Sequence, residues 1–454
     1  MIKKIFSSFV LTALSSGIFF IFNFVIAKIV GASIYGEIAY YLSFINLLAL
    51  LISINYASLY MGSKITNNEQ NTFSLFITIE VILFLLISLP AFFILKSFYI
   101  DSSYTIALIL IISFLIVIVK SIALEYNSKK EVSLSIFYGA LLPRLLLVTL
   151  FSLAIFFNLK EAIYYLYVFL FSYSLVSIYN IFKFKPKFFI KKDIFTRAWK
   201  FYLIGIIGSS FTYIAQILQK QYGGYEQLAS LSIVLLFFAG FSLIGGVLVK
   251  FLLPKIHEFY REKDFKSIGK LYNLYVKIEL LIVLPILIFL LFNRDYIAQF
   301  LGDGYRMFPI FFLILIVGFL VDLITGITGN ILRATENEKY EIFNESVRLV
   351  VGLSLIYFFK DNIYGIAIAI SASMVIYNLL KYIEVFYLFK FTPLNLKESL
   401  FYILLTIGLM GINYLFRYNF TIQNSLILGI LFLIVVYLII FLALRKRKFL
   451  LESL

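Results

Sequence analysis

The sequence predicts an all-α integral membrane protein with about fourteen transmembrane helices. Of its 454 residues, 62% are hydrophobic and 14% are charged, which is more apolar surface than one water-soluble core can bury. The apolar residues fall in runs of about 20, the length that crosses roughly 30 Å of hydrocarbon. Lys and Arg are concentrated in the short loops between the runs, as in multi-pass membrane proteins.

Six apolar runs precede a basic stretch that begins at Lys183. They cover residues 6–28, 37–62, 72–95, 104–124, 132–157 and 162–182. The first run follows a basic N-terminus, as in a signal peptide, but it continues through Ala27 without a small-residue cleavage site. It is therefore interpreted as the first transmembrane helix.

Eight more runs follow the basic stretch. They cover residues 201–220, 227–253, 274–292, 308–330, 341–359, 363–389, 398–416 and 424–444. The largest segment between runs, Pro254 to Asn273, is predicted to lie as an amphipathic helix on the inner membrane surface. Because the chain has no long extramembrane segment for a catalytic domain, we predict that it is not an enzyme and needs no cofactor.

An even number of crossings with both termini in the cytoplasm explains the distribution of charge. It places 27 of the 39 Lys and Arg on the cytoplasmic side and eight on the periplasmic side. This asymmetry is the one expected for an inner-membrane protein. The formal charge of +15 therefore reflects membrane orientation, and no nucleic-acid partner is predicted.

The absence of Cys excludes disulfides, and the presence of a single histidine, His257, makes metal sites an unfavourable interpretation.

Four short matches in the same order indicate that a six-helix unit is duplicated. The matches pair Lys28-Ile29-Val30-Gly31 with Lys220-Gln221-Tyr222-Gly223, Ile79-Glu80 with Ile278-Glu279, Arg144 with Arg348, and Ile178-Tyr179-Asn180 with Ile376-Tyr377-Asn378. Parallel repeats are typical of transporters that bind a substrate in a central cavity. We therefore predict parallel bundles in residues 1–190 and 191–393 around such a cavity, followed by an extra helix pair and basic tail in 394–454.

Residues Lys28 to Gly36 resemble a signature that ends the first helix in polysaccharide exporters of the multidrug/oligosaccharidyl-lipid/polysaccharide superfamily. The signature reads basic-x-x-Gly-x-x-x-Tyr-Gly, and Lys28, Gly31, Tyr35 and Gly36 match it. The resemblance covers roughly residues 10–390. Further motifs of the second half that are similar to this family are Pro254, Gly302-x-Gly304-Tyr305, Ile331-Leu332-Arg333-Ala334-Thr335-Glu336-Asn337 and Tyr364-Gly365-Ile366-Ala367.

The resemblance implies a Wzx-type flippase for O-antigen, capsule or exopolysaccharide. Such a protein moves undecaprenyl-diphosphate-linked repeat units from the cytoplasmic to the periplasmic leaflet by alternating access. The sequence departs from the family at two places. Lys28 replaces the more usual arginine, and Gln216 and Gln219 stand in the seventh helix where many relatives have an acid. The second departure argues against ion coupling through that helix.

A carrier of this substrate must offer cationic groups, because phosphates and hydroxyls cannot enter hydrocarbon unassisted. Arg144 and Arg348 occupy equivalent places in the fifth and eleventh helices and are our candidates for binding the diphosphate. Lys28 and Lys220, near the periplasmic ends of the first and seventh helices, are further candidates. The alternatives are an ion pair with an acid for the arginines and snorkelling to the membrane surface for the lysines.

Three acids within the apolar runs are candidates for ion coupling or gating. Asp322 lies about fourteen residues into the tenth run and is the first choice, followed by Glu80 and Glu279. A proton or a sodium ion is the expected coupling ion. The alternative for Asp322 is a fixed ion pair with Arg144 or Arg348.

Three other functions compete with the flippase interpretation. A drug/cation antiporter of the same superfamily favours cavity carboxylates over buried arginines, and a membrane glycan polymerase needs a sizeable external loop, so both fit less well. A flippase of the murein precursor has the same number of helices and a basic cavity, and it stays open. The expected partners are a polyprenyl-diphosphate-linked oligosaccharide, membrane lipids, the coupling ion and glycan polymerase machinery.

Overall fold

The computed structural model describes residues 2–53, 72–98, 100, 102–129, 131–188, 193–419 and 422–446. All regular secondary structure in these ranges is helical, so the all-α prediction is confirmed. The helices are α1 (Ile2–Val30), α2 (Ala32–Ile52), α3 (Thr72–Ser97), α4 (Ser103–Ser128), α5 (Val132–Ile136), α6 (Leu142–Phe156), α7 (Ala162–Phe184), α8 (Asp193–Arg261), α9 (Phe265–Leu301), α10 (Phe308–Thr325), α11 (Thr328–Ala334), α12 (Glu338–Phe359), α13 (Gly365–Phe389), α14 (Leu396–Asn419) and α15 (Ile422–Lys446).

Each predicted span falls on helical residues, although the end of the second predicted span, residues 54–62, lies outside the described residues. Within the described part of the chain, eleven helical segments are long and apolar enough to cross a membrane, and two shorter apolar helices accompany them. The segment from Pro254 to Asn273 forms no separate surface helix. It completes α8 and begins α9, with only a short turn at residues 262–264 between them.

Large apolar side chains cover the outside of several helices. On α3, Leu85, Leu86, Leu89 and Phe93 are each more than 60% exposed. A water-soluble protein rarely exposes contiguous apolar stripes of this kind. Such a surface is stable in contact with lipid tails, and the chain is a multi-pass membrane protein.

The two glycines of the Tyr-Gly signature have different structural roles. Gly31 alone connects α1 to α2 with a φ of 81°, a conformation that glycine adopts without steric strain. Gly36 lies within α2, where a Cβ atom would collide with the backbone of Tyr225. The signature therefore encodes a sharp turn followed by a close approach of two backbone segments.

Gly224 breaks α8 into the seventh and eighth predicted helices. Its φ of 79° and ψ of −179° resemble those of Gly31, whose φ is 81° and ψ is 166°. By conformation, the residue equivalent to Gly31 is therefore Gly224, one position after Gly223, with which the sequence match pairs Gly31. Gly223 has a different role, since a Cβ atom there would collide with the side-chain amides of Gln219 and Gln227.

The fifth predicted helix contains a π-helical turn. Residues Phe137–Leu141 form this turn between α5 and α6, and Pro143 stands in the first turn of α6, where its missing N–H is tolerated. A π-helical turn inserts one residue, which rotates the following side chains by about 100° relative to a regular helix. It therefore sets the direction of Arg144, the residue after Pro143.

The tenth predicted helix is broken near its end. Gly326, with a φ of 61° and a ψ of −135°, ends α10, and α11 begins two residues later. The Gly326 N–H donates to the Asp322 carbonyl at 2.9 Å, and the Tyr272 hydroxyl donates to the Thr325 carbonyl at 2.7 Å. Partners of this kind are required because backbone groups released at a helix break cannot bond to water inside a bilayer.

The chain divides into two compact units. Unit 1 comprises Met1–Gly240 and Glu345–Ile370, and unit 2 comprises Phe241–Asn344 and Ser371–Leu454. The largest fully buried side chains of unit 1 include Tyr40 and Phe151, and those of unit 2 include Tyr272, Phe308 and Phe312. The predicted division at residues 190 and 393 rests on the repeat and stays a prediction.

Candidate functional site

Arg144 is held in unit 1 by hydroxyl groups of α1. Its Nη1 donates to Ser15 Oγ at 2.9 Å and to Ser16 Oγ at 3.4 Å, and its guanidinium carbon lies 4.9 Å from the centre of the Phe19 ring. Among the described residues of unit 1, no carboxylate lies within ion-pairing distance of this guanidinium. Neutral hydroxyls orient the side chain but leave its charge uncompensated, so the arrangement suits an anionic ligand.

Arg348 has a different environment, because a carboxylate accompanies it. Arg348 lies on α12, and its Nη1 is 3.6 Å from Glu345 Oε2. The two side chains are only 16% and 8% exposed. The guanidinium also donates to the Gly208 carbonyl at 3.2 Å and to Thr212 Oγ1 at 3.4 Å. These bonds tie α12 to α8 within unit 1, and Glu345 offsets the charge.

We expect Arg348→Met to destabilise the protein, because it leaves the Glu345 carboxylate buried without its cation. Breaking such a pair costs roughly 3–5 kcal/mol, whereas replacing both partners with uncharged groups is close to neutral. Thermal unfolding of the purified protein in detergent should therefore show a large loss for Arg348→Met and recovery in Arg348→Met/Glu345→Gln. Wild-type stability of the single variant would show that the pair contributes nothing to folding.

The two candidate lysines lie at helix ends within unit 1. Lys28 is in the last turn of α1, where a positive charge interacts favourably with the helix dipole, and its side chain is exposed. The Lys220 ammonium lies 4.9 Å from the Tyr40 ring centre and 5.3 Å from that of Tyr225. Both positions are compatible with substrate contact and with anchoring at the membrane surface.

Glu80 is enclosed in unit 1. It is 1% exposed, and its Oε1 accepts a hydrogen bond from Ser121 Oγ at 2.5 Å. Its Oε2 has no hydrogen-bond partner among the described residues, and the neighbouring residues Leu75, Phe76 and Ile79 form an apolar cluster. The ion-coupling role of Glu80 stays a prediction; the other two acids differ from it in that they line a cavity.

Asp322 and Glu279 line a single cavity in unit 2. This Asp322 cavity has a volume of about 330 Å³ and lies beside the helix break at Gly326. The Tyr275 hydroxyl bonds to the Glu279 carboxylate, and both groups come close to Gly245, which has no side chain to fill the space. The structure therefore brings together two acids that are 43 positions apart in the sequence.

Sequence reasoning missed several charged residues of the Asp322 cavity, namely Arg333, Glu341 and Lys381. Glu341 is 3% exposed; its Oε1 accepts from the Tyr377 hydroxyl at 3.4 Å, while its Oε2 has no partner among the described residues. The Lys381 ammonium lies 3.6 Å from the Tyr377 ring centre. Glu341 is the first residue of its predicted span, where a charge ordinarily reaches water. Lys381 comes three residues after the repeat match Ile376-Tyr377-Asn378, and this was the signal available for it.

The described helices, with the glycine joints and the break at Gly326, form a fold similar to that of solved membrane transporter structures. In sequence, the chain matches no family model and no curated protein. The similarity therefore rests on solved structures, and the three described below, each less than 25% identical, show the fold alone.

Three solved structures illustrate the similarity. The lipid II flippase MurJ, in an inward closed conformation, has a TM-score of 0.70 and 16% identity, over 96% of this chain and 99% of that chain. An inward-facing multidrug resistance MATE family transporter has a TM-score of 0.59 and 13% identity, over 84% and 94%. A MOP superfamily transporter from Pyrococcus furiosus has a TM-score of 0.55 and 12% identity, over 85% and 95%.

Proposed function

We propose that the protein is a membrane transporter that flips a polyprenyl-diphosphate-linked oligosaccharide from the cytoplasmic to the outer leaflet of the inner membrane. The observation that carries the proposal is Arg144, whose guanidinium lies on a membrane-spanning segment and is held by Ser15 and Ser16. Among the described residues of unit 1, it has no carboxylate partner. An uncompensated arginine is expensive in a bilayer unless it faces water or binds an anion. A diphosphate is an anion that its planar fork binds in pairs of hydrogen bonds.

The fold supports transport of a lipid-linked substrate. MurJ, which shares the fold over almost its whole length, is described as a lipid II flippase. A flippase for the murein precursor is therefore the second candidate, and it needs the same diphosphate-binding chemistry. A multidrug resistance MATE family transporter also shares the fold. A drug/cation antiporter fits less well, because a binding site for cations would not be expected to contain the Arg144 guanidinium.

The Asp322 cavity supports a route for the energy that drives transport. It combines Asp322 and Glu279 with a broken helix, and discontinuous helices commonly bind coupling ions in transporters. We infer that a proton or a sodium ion binds here and that its movement accompanies the flipping step. Once outside, the substrate is consumed by glycan polymerase machinery, which is the expected protein partner.

Depletion of the protein in its own host tests the proposal. Lipid-linked repeat units should accumulate in a form that a membrane-impermeant oxidant such as periodate cannot reach, while the murein precursor stays at its normal level. Accumulation of the murein precursor instead, with cell lysis, would favour the second candidate. Increased drug sensitivity without any accumulated lipid-linked sugar would contradict both and favour an antiporter.

A further inference from the structure

A second cavity lies in unit 1, between the break of α8 and the turn that joins α12 to α13. It has a volume of about 450 Å³, which lies within the range of roughly 300–1,000 Å³ for small-molecule sites. Amide side chains dominate its lining: Gln219, Gln221, Gln227 and Asn362, beside Tyr222 and Asp361. We call it the amide cavity.

Gln219 is the most unusual group of the amide cavity. Its side chain is 2% exposed, and its Nε2 donates to Gln227 Oε1 at 3.0 Å. Its Oε1, however, has no hydrogen-bond partner among the described residues. Because buried polar atoms are nearly always hydrogen-bonded, this oxygen is available to a hydrogen-bond donor from outside the protein, either an ordered water or a ligand hydroxyl that replaces it.

The backbone on both sides of the amide cavity is shaped to keep it open. A Cβ atom at Gly223 would collide with the amides of Gln219 and Gln227, so glycine preserves the position of both. On the other side, the Asn362 N–H donates to the Phe359 carbonyl at 2.9 Å and the Gly365 N–H donates to the Asn362 carbonyl at 2.8 Å. These bonds form a tight turn that fixes Asn362 at the cavity.

The chemistry of the lining favours an uncharged sugar. Each amide both donates and accepts hydrogen bonds, as the hydroxyl and acetamido groups of a saccharide do. Tyr222 is 52% exposed and offers an aromatic face for the apolar side of a sugar ring. Lys360 and Asp361 contribute opposite charges, so the lining has no net charge to attract a phosphate.

We propose that the amide cavity is a saccharide-binding subsite for an uncharged pyranose of the transported oligosaccharide. The proposal rests on the proposed function and on the predicted orientation, which places Lys220 and Lys360 at the periplasmic side. A site there holds the glycan after it has crossed, while Arg144 binds the diphosphate. Sugar and phosphate are thus recognised by separate groups of unit 1.

Saturation-transfer NMR on the full-length protein in nanodiscs tests this subsite. The probes are methyl N-acetyl-β-glucosaminide and methyl β-glucoside, with sodium pyrophosphate as a competing anion. Wild type should transfer saturation to at least one sugar, and pyrophosphate should not reduce the signal. Gln219→Leu and Tyr222→Ala should each weaken the transfer about tenfold, as expected for the loss of one hydrogen bond or one ring contact.

Two matched variants serve as controls. Tyr222→Phe keeps the aromatic face and should retain binding, and Asn419→Ala removes an exposed amide that is not part of the cavity and should change nothing. The proposal is overturned if wild type transfers saturation to neither sugar, if both cavity variants bind like wild type, or if pyrophosphate displaces the sugar. Because free sugars are used, this result is independent of whether depletion causes lipid-linked repeat units to accumulate.

Discussion

Arg144→Glu is expected to abolish surface glycan export while the protein accumulates normally in the membrane. A carboxylate about 4 Å from a phosphate, at an effective dielectric constant of about 20, adds roughly 4 kcal/mol of repulsion, or about a thousandfold in binding. Arg144→Ala removes charge-assisted hydrogen bonds of about 1.5–3 kcal/mol and should reduce transport roughly 10- to 100-fold. Transport is measured as periodate-accessible lipid-linked repeat units in cells.

Arg144→Lys distinguishes the diphosphate role from simple packing. Lysine keeps the positive charge but loses the planar fork, so transport should fall only partly. Arg306→Glu is the matched control, because Arg306 is an exposed arginine that precedes the tenth predicted span and the same charge reversal there should be tolerated. Normal export by a well-expressed Arg144→Glu protein would remove the central support for the proposed function.

Asp322→Asn is expected to uncouple transport from the ion gradient without unfolding the protein. The amide fills the same space as the carboxylate but cannot bind a proton reversibly or neutralise a sodium ion. In proteoliposomes, flipping driven by an imposed proton or sodium gradient should fall to the rate seen without a gradient. Thermal unfolding should change little, because Asp322 lines a cavity.

Because Glu279 lines the same cavity as Asp322, its substitution gives a second test of ion coupling. If Asp322 and Glu279 bind one ion, Glu279→Gln should produce the same uncoupling, and the double variant should be no worse than either single variant, since coupled residues act non-additively. Asp303→Asn, an exposed position, is the control. Retained gradient dependence in Asp322→Asn would exclude coupling through this cavity. Failure of that variant to accumulate would instead indicate a structural ion pair.

The comparison of the two arginines shows where sequence reasoning reached its limit. Arg144 and Arg348 occupy equivalent places in the repeat, and the sequence predicts one role for both. In the structure, Arg348 has Glu345 beside it, whereas the hydrogen bonds of Arg144 within the described part of the chain go to the hydroxyls of Ser15 and Ser16. A repeat preserves the position of a residue along its helix but not the identity of its neighbours on other helices. Equivalent positions in the repeat therefore did not predict which arginine has a carboxylate beside it.

The sequence by itself determined the helices and their place in a membrane. Apolar runs of spanning length predict which segments enter hydrocarbon. The joint at Gly31 could also be predicted, because a residue with positive φ there is most often glycine. Run length and the presence of glycine did not predict the π-helical turn before Arg144, the break at Gly326 or the amide cavity.

Only the tertiary structure decided which polar groups meet. Asp322 and Glu279 lie on different helices, as do Gln219 and Asn362, and their meeting depends on how helices pack and where glycines open the backbone. In a bilayer, every helix is apolar toward lipid, so sequence periodicity says little about which polar side chains share a cavity. Packing between helices decides it, because a buried polar group is stable only where another polar group or a ligand meets it.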